Sequence, residues 1–325
     1  MRAIIPVAGL GSRLKPLTYS IPKVLINVGG KPILGHIIEK LIKEEVYKVT
    51  FVIGHLGEMV MDYIHFAYPS IKADFVEQKE MLGLGHAIHT ALPTIDDEEI
   101  FIILGDTIFD VDLKEFFKEK TTTLGVKEVD DPRRFGVAVV DNGYITKLVE
   151  KPLTPVSNLA LVGLYYIANS QKLISSLNNL LEKDIKTKGE YQLTDALQMM
   201  IDEGQKIKTF TVEGWYDCGK PETLLSTNKY LLDLKSVSRK YDNVIINPPV
   251  FISEDVQIKN SVIGPYATID RGSTIEDSII KNTIIGSNVQ IKKVLLKNSI
   301  IGSNVVIRGM FKRLNSGDSS EIDFY

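Results

Sequence analysis

The sequence predicts an α/β domain built on a mostly parallel sheet, followed by a short parallel β-helix. Three features point there. Over the first hundred residues short apolar, β-rich runs alternate with stretches of helical periodicity, the pattern of a sheet covered by helices on both faces. From Thr121 to Ile167 strand-like segments follow one another with little helix between them, which extends the same domain with a mixed sheet. Beyond about Tyr241 the composition shifts to Ile, Val, Asn, Ser and Gly, and one phrase recurs with apolar residues six apart, the period of a hexapeptide β-helix. The expected domains are residues 1–240 and 241–325.

Taken in order, Ile4 to Val7 reads as a buried strand ending in Gly9-Leu10-Gly11-Ser12. Between Pro32 and Glu45, Leu34, Ile37, Ile38, Leu41 and Ile42 recur at helical spacing, and Val49 to Ile53 is the next strand. Helix is expected over Gly57 to Ala67 and Leu84 to Leu92, strand over Ala73 to Val76 and Ile100 to Leu104. The mixed region contributes strands at Leu124 to Val129, Gly136 to Val140, Tyr144 to Glu150 and Leu161 to Ile167. Helices return around Gln171 to Leu181, Leu193 to Glu203 and Glu222 to Leu234. The repeated phrase begins at Asn260, Asn282 and Asn298. Spacings of 22 and 16 residues predict regular coils that are interrupted. The polar tail after Met310 is expected to be disordered.

At 325 residues the chain can bury two unequal cores. With 44% hydrophobic residues, 24% charged and a formal net charge of -3, it has no bulk attraction for nucleic acid or an anionic membrane. Cys218 is the only cysteine, which excludes an internal disulfide and a thiolate zinc cluster. No run reaches the ~20 apolar residues of a membrane span, and Gly9 and Gly11 break the opening run too soon for a signal peptide. A soluble, cytoplasmic protein is the expectation.

The Gly9-Leu10-Gly11-Ser12 turn, followed by Arg13 and later Lys23, suits a phosphate. Glycines let backbone N–H groups approach an anion, Arg13 offers a planar fork and Lys23 a point charge. It is not a Walker loop, which needs Gly-Lys-Ser/Thr, nor a dinucleotide fingerprint, which needs a third glycine. Ala8-Gly9-Leu10-Gly11-Ser12-Arg13-Leu14 with Pro22-Lys23 resembles the signature of the sugar-1-phosphate nucleotidylyltransferases, particularly the glucose-1-phosphate thymidylyl- and uridylyltransferases. The usual start there is Gly-Gly-x-Gly-Thr-Arg-Leu, and the variant is closer to the uridylyl branch. The resemblance implies a Rossmann-like nucleotidyltransferase domain and makes the C-terminal repeats a left-handed β-helix.

Two aspartates carry the next step. Asp106 follows an apolar strand and a glycine, and Asp217 sits in Trp215-Tyr216-Asp217-Cys218-Gly219. Each alone reads as a turn or capping residue; beside a phosphate loop the two suggest Mg²⁺, which takes one or two carboxylates plus substrate phosphates and water. In the resembled family Leu-Gly-Asp and aromatic-x-Asp-x-Gly fill this role. The resemblance also makes Gln78 and the Gly83 backbone the base-reading pair, although a surface glutamine is the plainer reading of Gln78. His86 and His89 lie three apart on a predicted helix, but nothing completes a metal site with them, and they read as packing or polar-edge residues.

Arg134-Phe135-Gly136-Val137 and Val149-Glu150-Lys151-Pro152 match further family phrases. By that match Glu150 bonds sugar hydroxyls, Lys151 holds the sugar phosphate, and Gly136 lets the hexose approach. Val162-Gly163-Leu164-Tyr165 and Gly189 to Asp195 resemble sugar-pocket elements. Without the resemblance, Glu150 and Lys151 would pass for a solvated charge pair.

The implied activity is Mg²⁺-dependent transfer of a nucleotidyl group from UTP or dTTP to a hexose 1-phosphate, glucose 1-phosphate first, with release of pyrophosphate. Arg13, Lys23 and Lys151 would be the catalytic cations. Two alternatives remain open at this point: a guanylyl- or cytidylyltransferase of the same family, and a catalytically silent regulatory subunit. The chain's five histidines, His36, His55, His65, His86 and His89, all precede the repeats. Some relatives carry a longer acetyl-transferring β-helix with a histidine base; here the repeats are expected to be structural and to form a homo-oligomer.

Overall fold

A computed structural model of the chain describes residues 1–96, 98–118, 120–236 and 241–309. The predicted tail beyond Met310 lies outside the described residues. The chain divides into two compact units, Met1–Thr227 and Asn228–Tyr325, so the division falls inside the helix Pro221–Leu234 rather than at residue 240.

The first unit is organised on a nine-stranded mixed sheet. Strand Arg2–Pro6 lies at its heart, parallel to Lys48–Ile53 on one side and to Ile100–Ile103 on the other, with Lys72–Glu77 at the edge. Leu159–Ile167 runs antiparallel to Ile100–Ile103 and turns the sheet from parallel to mixed. Beyond it come Gly136–Asp141 and Tyr144–Glu150, while Thr123–Glu128 pairs with both Leu159–Ile167 and Lys208–Thr211.

Side chains alternate across the sheet and feed two cores. Ala3, Ile5, Phe101 and Ile103 face the helices Ile33–Lys43 and Gly57–Ala67, packing with Leu34, Ile37, Ile38, Leu41, Val60 and Ile64. Ile4, Ile100 and Ile102 face the opposite layer, where Ile88, Leu173, Leu177, Leu193, Leu197 and Met200 supply the helices Leu84–Thr90, Ser170–Glu182 and Leu193–Asp202. The helices expected from periodicity are present. What periodicity did not reveal is a separate two-stranded ribbon, Thr107–Asp110 against Gly214–Asp217. It joins the segment that follows the first candidate metal aspartate, Asp106, to the segment that ends in the second, Asp217, over a separation of about a hundred residues.

The second unit is a parallel β-helix of triangular section. One face stacks Val244–Ile246, Ser261–Ile263, the first half of Ile279–Ile285 and the first half of Leu295–Ile301. The next stacks Val250–Ile252, Ala267–Ile269 and the second halves of the same two long strands. The third stacks Gln257–Lys259, Thr274–Glu276, Gln290–Lys292 and Val306–Arg308. Among the described residues this makes four coils, with Ile263, Ile269, Ile275, Ile280, Ile285 and Ile291 filling the interior.

The coils are not interrupted, and this corrects the reading of the 22-residue spacing. Asn260 introduces a strand of the first face, whereas Asn282 and Asn298 introduce the second face. The phrase therefore advances by a whole coil plus one face between its first two copies, and by one coil between the last two. Asn recurs there because the corner requires a left-handed backbone: φ is 47° at Asn260, 45° at Asn282 and 53° at Asn298, values that asparagine tolerates better than most residues.

The three outer surfaces differ. On the third face Lys259, Glu276, Lys292 and Arg308 stack in register, a charged ladder. On the second, Thr268 is fully buried and donates to Asn228 Oδ1 at 2.6 Å, so residues from the end of the preceding helix cover it. On the first, Ile245, Val262, Ile279 and Leu295 form an outward aliphatic column, with Ile245 62% and Leu295 69% exposed. No helix of the described residues is long and apolar enough to cross a membrane.

Candidate active site

The site is built at the carboxyl end of strand Arg2–Pro6, where ligands gather in sheets of this kind. The Val7 N–H is held by the Val52 carbonyl at 2.8 Å, and the chain then leaves the sheet through Ala8 and Gly9. Gly11 turns it with φ of 59°; a Cβ there would lie 2.9 Å from the Thr18 methyl and 3.1 Å from Lys23 Cβ, so both backbone and packing demand glycine. The Thr18 hydroxyl closes the turn on the Gly11 carbonyl at 2.9 Å. Ser12, Arg13 and Leu14 form a single 3₁₀ turn that buries Leu14 and leaves Ser12 and Arg13 exposed.

Asp106 reaches the same loop from the neighbouring strand. Gly105 makes this possible, since a Cβ there would sit 2.6 Å from Val7 Cγ1 and 2.9 Å from the Pro6 carbonyl. Lys23 is buried and donates to Asp106 Oδ2 at 2.6 Å. A buried ammonium without a partner would be costly, so this ion pair fixes both side chains. The Cys218 N–H donates to the Asp106 carbonyl at 3.0 Å, and the ribbon pairs Asp217 with Thr107. The two aspartates are thus carried on adjoining segments. A Cβ on Gly219 would lie 2.7 Å from Asp217 Oδ1 and 3.1 Å from an Arg13 guanidinium nitrogen, so Asp217 and Arg13 flank one small space. The Cys218 thiol is buried and pushed up to about 12 by desolvation, hence chemically inert at neutral pH.

A cleft of about 400 Å³ opens above the loop, lined by Ala8, Gly9, Gly11, Ser12, Arg13, Lys23, Gln78, Gly83 and Asp106. Every residue expected to meet the nucleotide lies in it. Gln78 is not a surface glutamine: it is buried, and its Nε2 donates to the Gly83 carbonyl at 3.2 Å and to His86 Nδ1 at 3.1 Å. Gly83 has φ of 110°, and a Cβ there would meet the Tyr191 carbonyl at 2.6 Å, so only glycine fits. His89 bonds Asn178 at 3.1 Å, and the described residues contain no cluster of three metal-ligating side chains.

A second, larger cleft of about 930 Å³ adjoins the first and shares Arg13, Asp106 and Glu190 with it. Gly136, Glu150, Lys151, Tyr165 and Asp217 line it. Glu150 accepts from the Thr194 hydroxyl at 2.7 Å and pairs with Lys151 Nζ at 3.2 Å. Glycine at 136 makes room for this carboxylate: a Cβ would lie 2.9 Å from Glu150 Oε2 and 3.1 Å from Thr194 Oγ1. Lys151 has φ of 44°, an uncommon conformation for a residue with a side chain, and its carbonyl is held by Lys188. Burial, then the Glu150 charge, push the Tyr165 hydroxyl far above the ordinary tyrosine range. Gly163 does not line either cleft. With φ of 86° it sits where the pairing of Leu159–Ile167 with Thr123–Glu128 shifts register, tight against Leu104.

The family model for nucleotidyl transferases matches residues 2–233. The chain belongs to that family. Among its relatives, the bifunctional protein GlmU of Methanocaldococcus jannaschii is 39% identical over 311 residues, covering 90% of this chain and 72% of that protein. The UTP–glucose-1-phosphate uridylyltransferase AglF of Haloferax volcanii is 34% identical over 235 residues, 68% of this chain and 93% of that one. A crystal structure from Bacillus anthracis, named as a glucose-1-phosphate thymidylyltransferase in complex with sucrose, superposes with a TM-score of 0.64 at 28% identity, over 73% of this chain and 98% of that one.

As a nucleotidyl transferase the chain holds residues that motif reading passed over. Lys188, Lys220 and Thr223 line the larger cleft. Lys188 and Lys220 lie in a turn and at a helix start, where a lone lysine carries no sequence signal. Lys23 was read as a free phosphate ligand, and its pairing with Asp106 joins positions 83 apart that no local pattern links.

Proposed function

We propose that this nucleotidyl transferase joins UTP or dTTP to a hexose 1-phosphate, glucose 1-phosphate first, releasing pyrophosphate. The observation that carries the reading is the pair of adjoining clefts, one floored by the glycine loop and one by Glu150 and Lys151, with Arg13 and Asp106 common to both. The names of AglF and of the Bacillus anthracis structure favour glucose 1-phosphate. In this reading the sugar phosphate oxygen forms a bond to the α-phosphorus as the bond to the β-phosphate oxygen breaks. No side-chain nucleophile is needed, and the protein contributes alignment and charge. Arg13 and Lys23 steady the triphosphate, Lys151 holds the attacking phosphate, and Glu150 with Thr194 accepts or shares hydroxyls of the sugar.

Asp106 and Asp217 would hold Mg²⁺. Two carboxylates on adjoining segments, open to a phosphate cleft and without a third acidic ligand among the described residues, match the demand of an ion that completes its shell with phosphates and water. Bound Mg²⁺ would neutralise charge on the triphosphate. Lys23 already engages Oδ2 of Asp106, and Oδ1, with only a long 3.4 Å contact from the Thr107 hydroxyl, is the oxygen that would meet the ion.

Pyrophosphate release measured across four nucleoside triphosphates and several sugar 1-phosphates tests the assignment; turnover confined to ATP, GTP or CTP would overturn it. Arg13→Ala should weaken triphosphate binding by at least ~10-fold, and Lys151→Ala should spare it while raising KM for the sugar phosphate. Calorimetric titration with the triphosphate separates the two.

For the repeats, the outward column of Ile245, Val262, Ile279 and Leu295 favours the homo-oligomer. Leu295→Asp should then lower the mass seen in light scattering without changing turnover by more than about twofold. A single mass shared by both proteins removes this surface from the assembly.

A further inference from the structure

The hydrogen bonds around Gln78 decide which of its two amide ends a ligand can meet. The Gly83 carbonyl can only accept, so the nitrogen end of the amide must be the one that lies against it at 3.2 Å. The second hydrogen of the same nitrogen goes to His86 Nδ1 at 3.1 Å, which requires an imidazole with an unshared electron pair at Nδ1 and its proton on Nε2. His86 is kept in this neutral form by burial first and by the nearby His89; Glu80 acts in the opposite sense, and the Tyr191 ring stacks 6.4 Å away. Among the described residues no donor reaches Gln78 Oε1, and no acceptor takes the Gly83 N–H. Both residues line the smaller cleft.

We propose that His86 is a positioning residue that locks Gln78 as a hydrogen-bond acceptor, so that the cleft selects a nucleobase carrying a ring N–H beside a carbonyl. Uracil and thymine present that edge: the ring N–H meets Gln78 Oε1, and the adjoining carbonyl meets the Gly83 N–H. Cytosine presents a bare ring nitrogen in the same place, which sets two lone pairs against each other. A freely turning glutamine would accommodate either base by rotating its amide. Held at two points, it cannot turn without setting its oxygen against the Gly83 carbonyl, which would keep only the Ala87 N–H at 3.1 Å, and against the lone pair of His86 Nδ1, a cost that falls on the wrong ligand. The proposal rests on the nucleotide reading of this cleft and goes further by assigning its base selectivity to a residue that touches no ligand.

The test compares UTP and CTP binding to the full chain with Mg²⁺, by calorimetry, for the wild type, His86→Leu and His86→Asn, alongside pyrophosphate release with glucose 1-phosphate. Leucine removes the acceptor; asparagine restores one near the position of Nδ1. The wild type should prefer UTP by about 10²-fold, His86→Leu should reduce that ratio at least fivefold, roughly one lost hydrogen bond, and His86→Asn should keep it within about twofold. His86→Ala serves the same comparison if the leucine variant does not fold. An unchanged ratio in His86→Leu, or equal loss in the leucine and asparagine variants, overturns the lock while leaving the transferase reading intact. Failure of the wild type to bind UTP, dTTP or CTP overturns both.

Discussion

In the first unit a polar side chain finds its partner far along the chain, whereas in the repeat unit it finds a counterpart one coil away. Lys23 reaches Asp106, 83 residues on, and Thr194 reaches back to Glu150 across 44. In the β-helix Asn282 donates to Asn298 at 2.6 Å, Asn288 to Asn304 at 3.2 Å and Lys292 to Glu276 at 2.7 Å, each 16 positions apart. The difference teaches where a substitution should be felt. In the first unit one replacement uncouples remote segments that together shape a site; in the second the damage stays between adjacent coils.

The largest effect should come from the two aspartates. Asp217→Asn is expected to cost at least ~10² in turnover with an unchanged melting curve, because the described residues give its carboxylate no ion-pair partner. Asp106→Asn should cost as much in turnover and, in addition, about 1–2 kcal/mol of stability, since it weakens the pair that compensates buried Lys23. Steady-state pyrophosphate release and thermal melts distinguish the two, and equal melting of both variants would break the claim that Lys23 depends on Asp106.

Acid should separate the units next. Burial lowers His36 to about 4, with its Nε2 held on the Val28 carbonyl at 2.9 Å. A buried neutral histidine contributes stability above the unfolded value near 6.5, and that contribution is lost as pH falls from there towards 4. The first unit should lose about 2–3 kcal/mol over that window. The repeats contain no histidine, so between pH 7 and 5 the protection of amides in residues 33–43, after correction for the intrinsic exchange rate at each pH, should fall before that of the coils. His36→Gln should flatten the dependence; the same slope in that variant would point to another group.

The smallest effect tests the coil side. Asn282→Ala removes a hydrogen bond at a corner with φ of 45° and should cost the β-helix about 1–2 kcal/mol, whereas Asn282→Gly, free of the backbone strain, should cost less. Neither should alter turnover by more than about twofold. A loss of activity equal to the loss in the aspartate variants would mean that the units are not energetically separate.

Legibility in the sequence follows the same divide. The parallel sheet could be read because each strand near the site is a short apolar run set between amphipathic helices, as Ile100–Ile103 shows. The site's glycine loop and its aspartates stood out as phrases. Their wiring did not: the ribbon Thr107–Asp110 with Gly214–Asp217 is two short segments with no alternation strong enough to find, and nothing local to Gly136 says that a Cβ there would also crowd Glu150 and Thr194. Gln78 looked like a surface residue because the two groups that engage it, Gly83 and His86, belong to the next turn and helix and not to the strand Lys72–Glu77 that it follows. In the repeats the period was plain and the register was not, since the phrase beginning at Asn260 also fits the next face and only strand pairing tells the faces apart.

The register of the coils also says how such a chain can change its length. Ile245 stacks on Val262, 17 positions later, and Ile279 on Leu295, 16 later, so both lengths close a turn. Gain or loss of one whole block of that size would leave every inward residue still pointing inward and every corner asparagine still at a corner. Loss of one residue inside a strand would turn the following side chains to the other surface, setting Ile263 or Ile280 towards water. Length in this half of the molecule is therefore quantised, and variants arising by duplication should survive where variants arising by single-residue slippage within a strand do not.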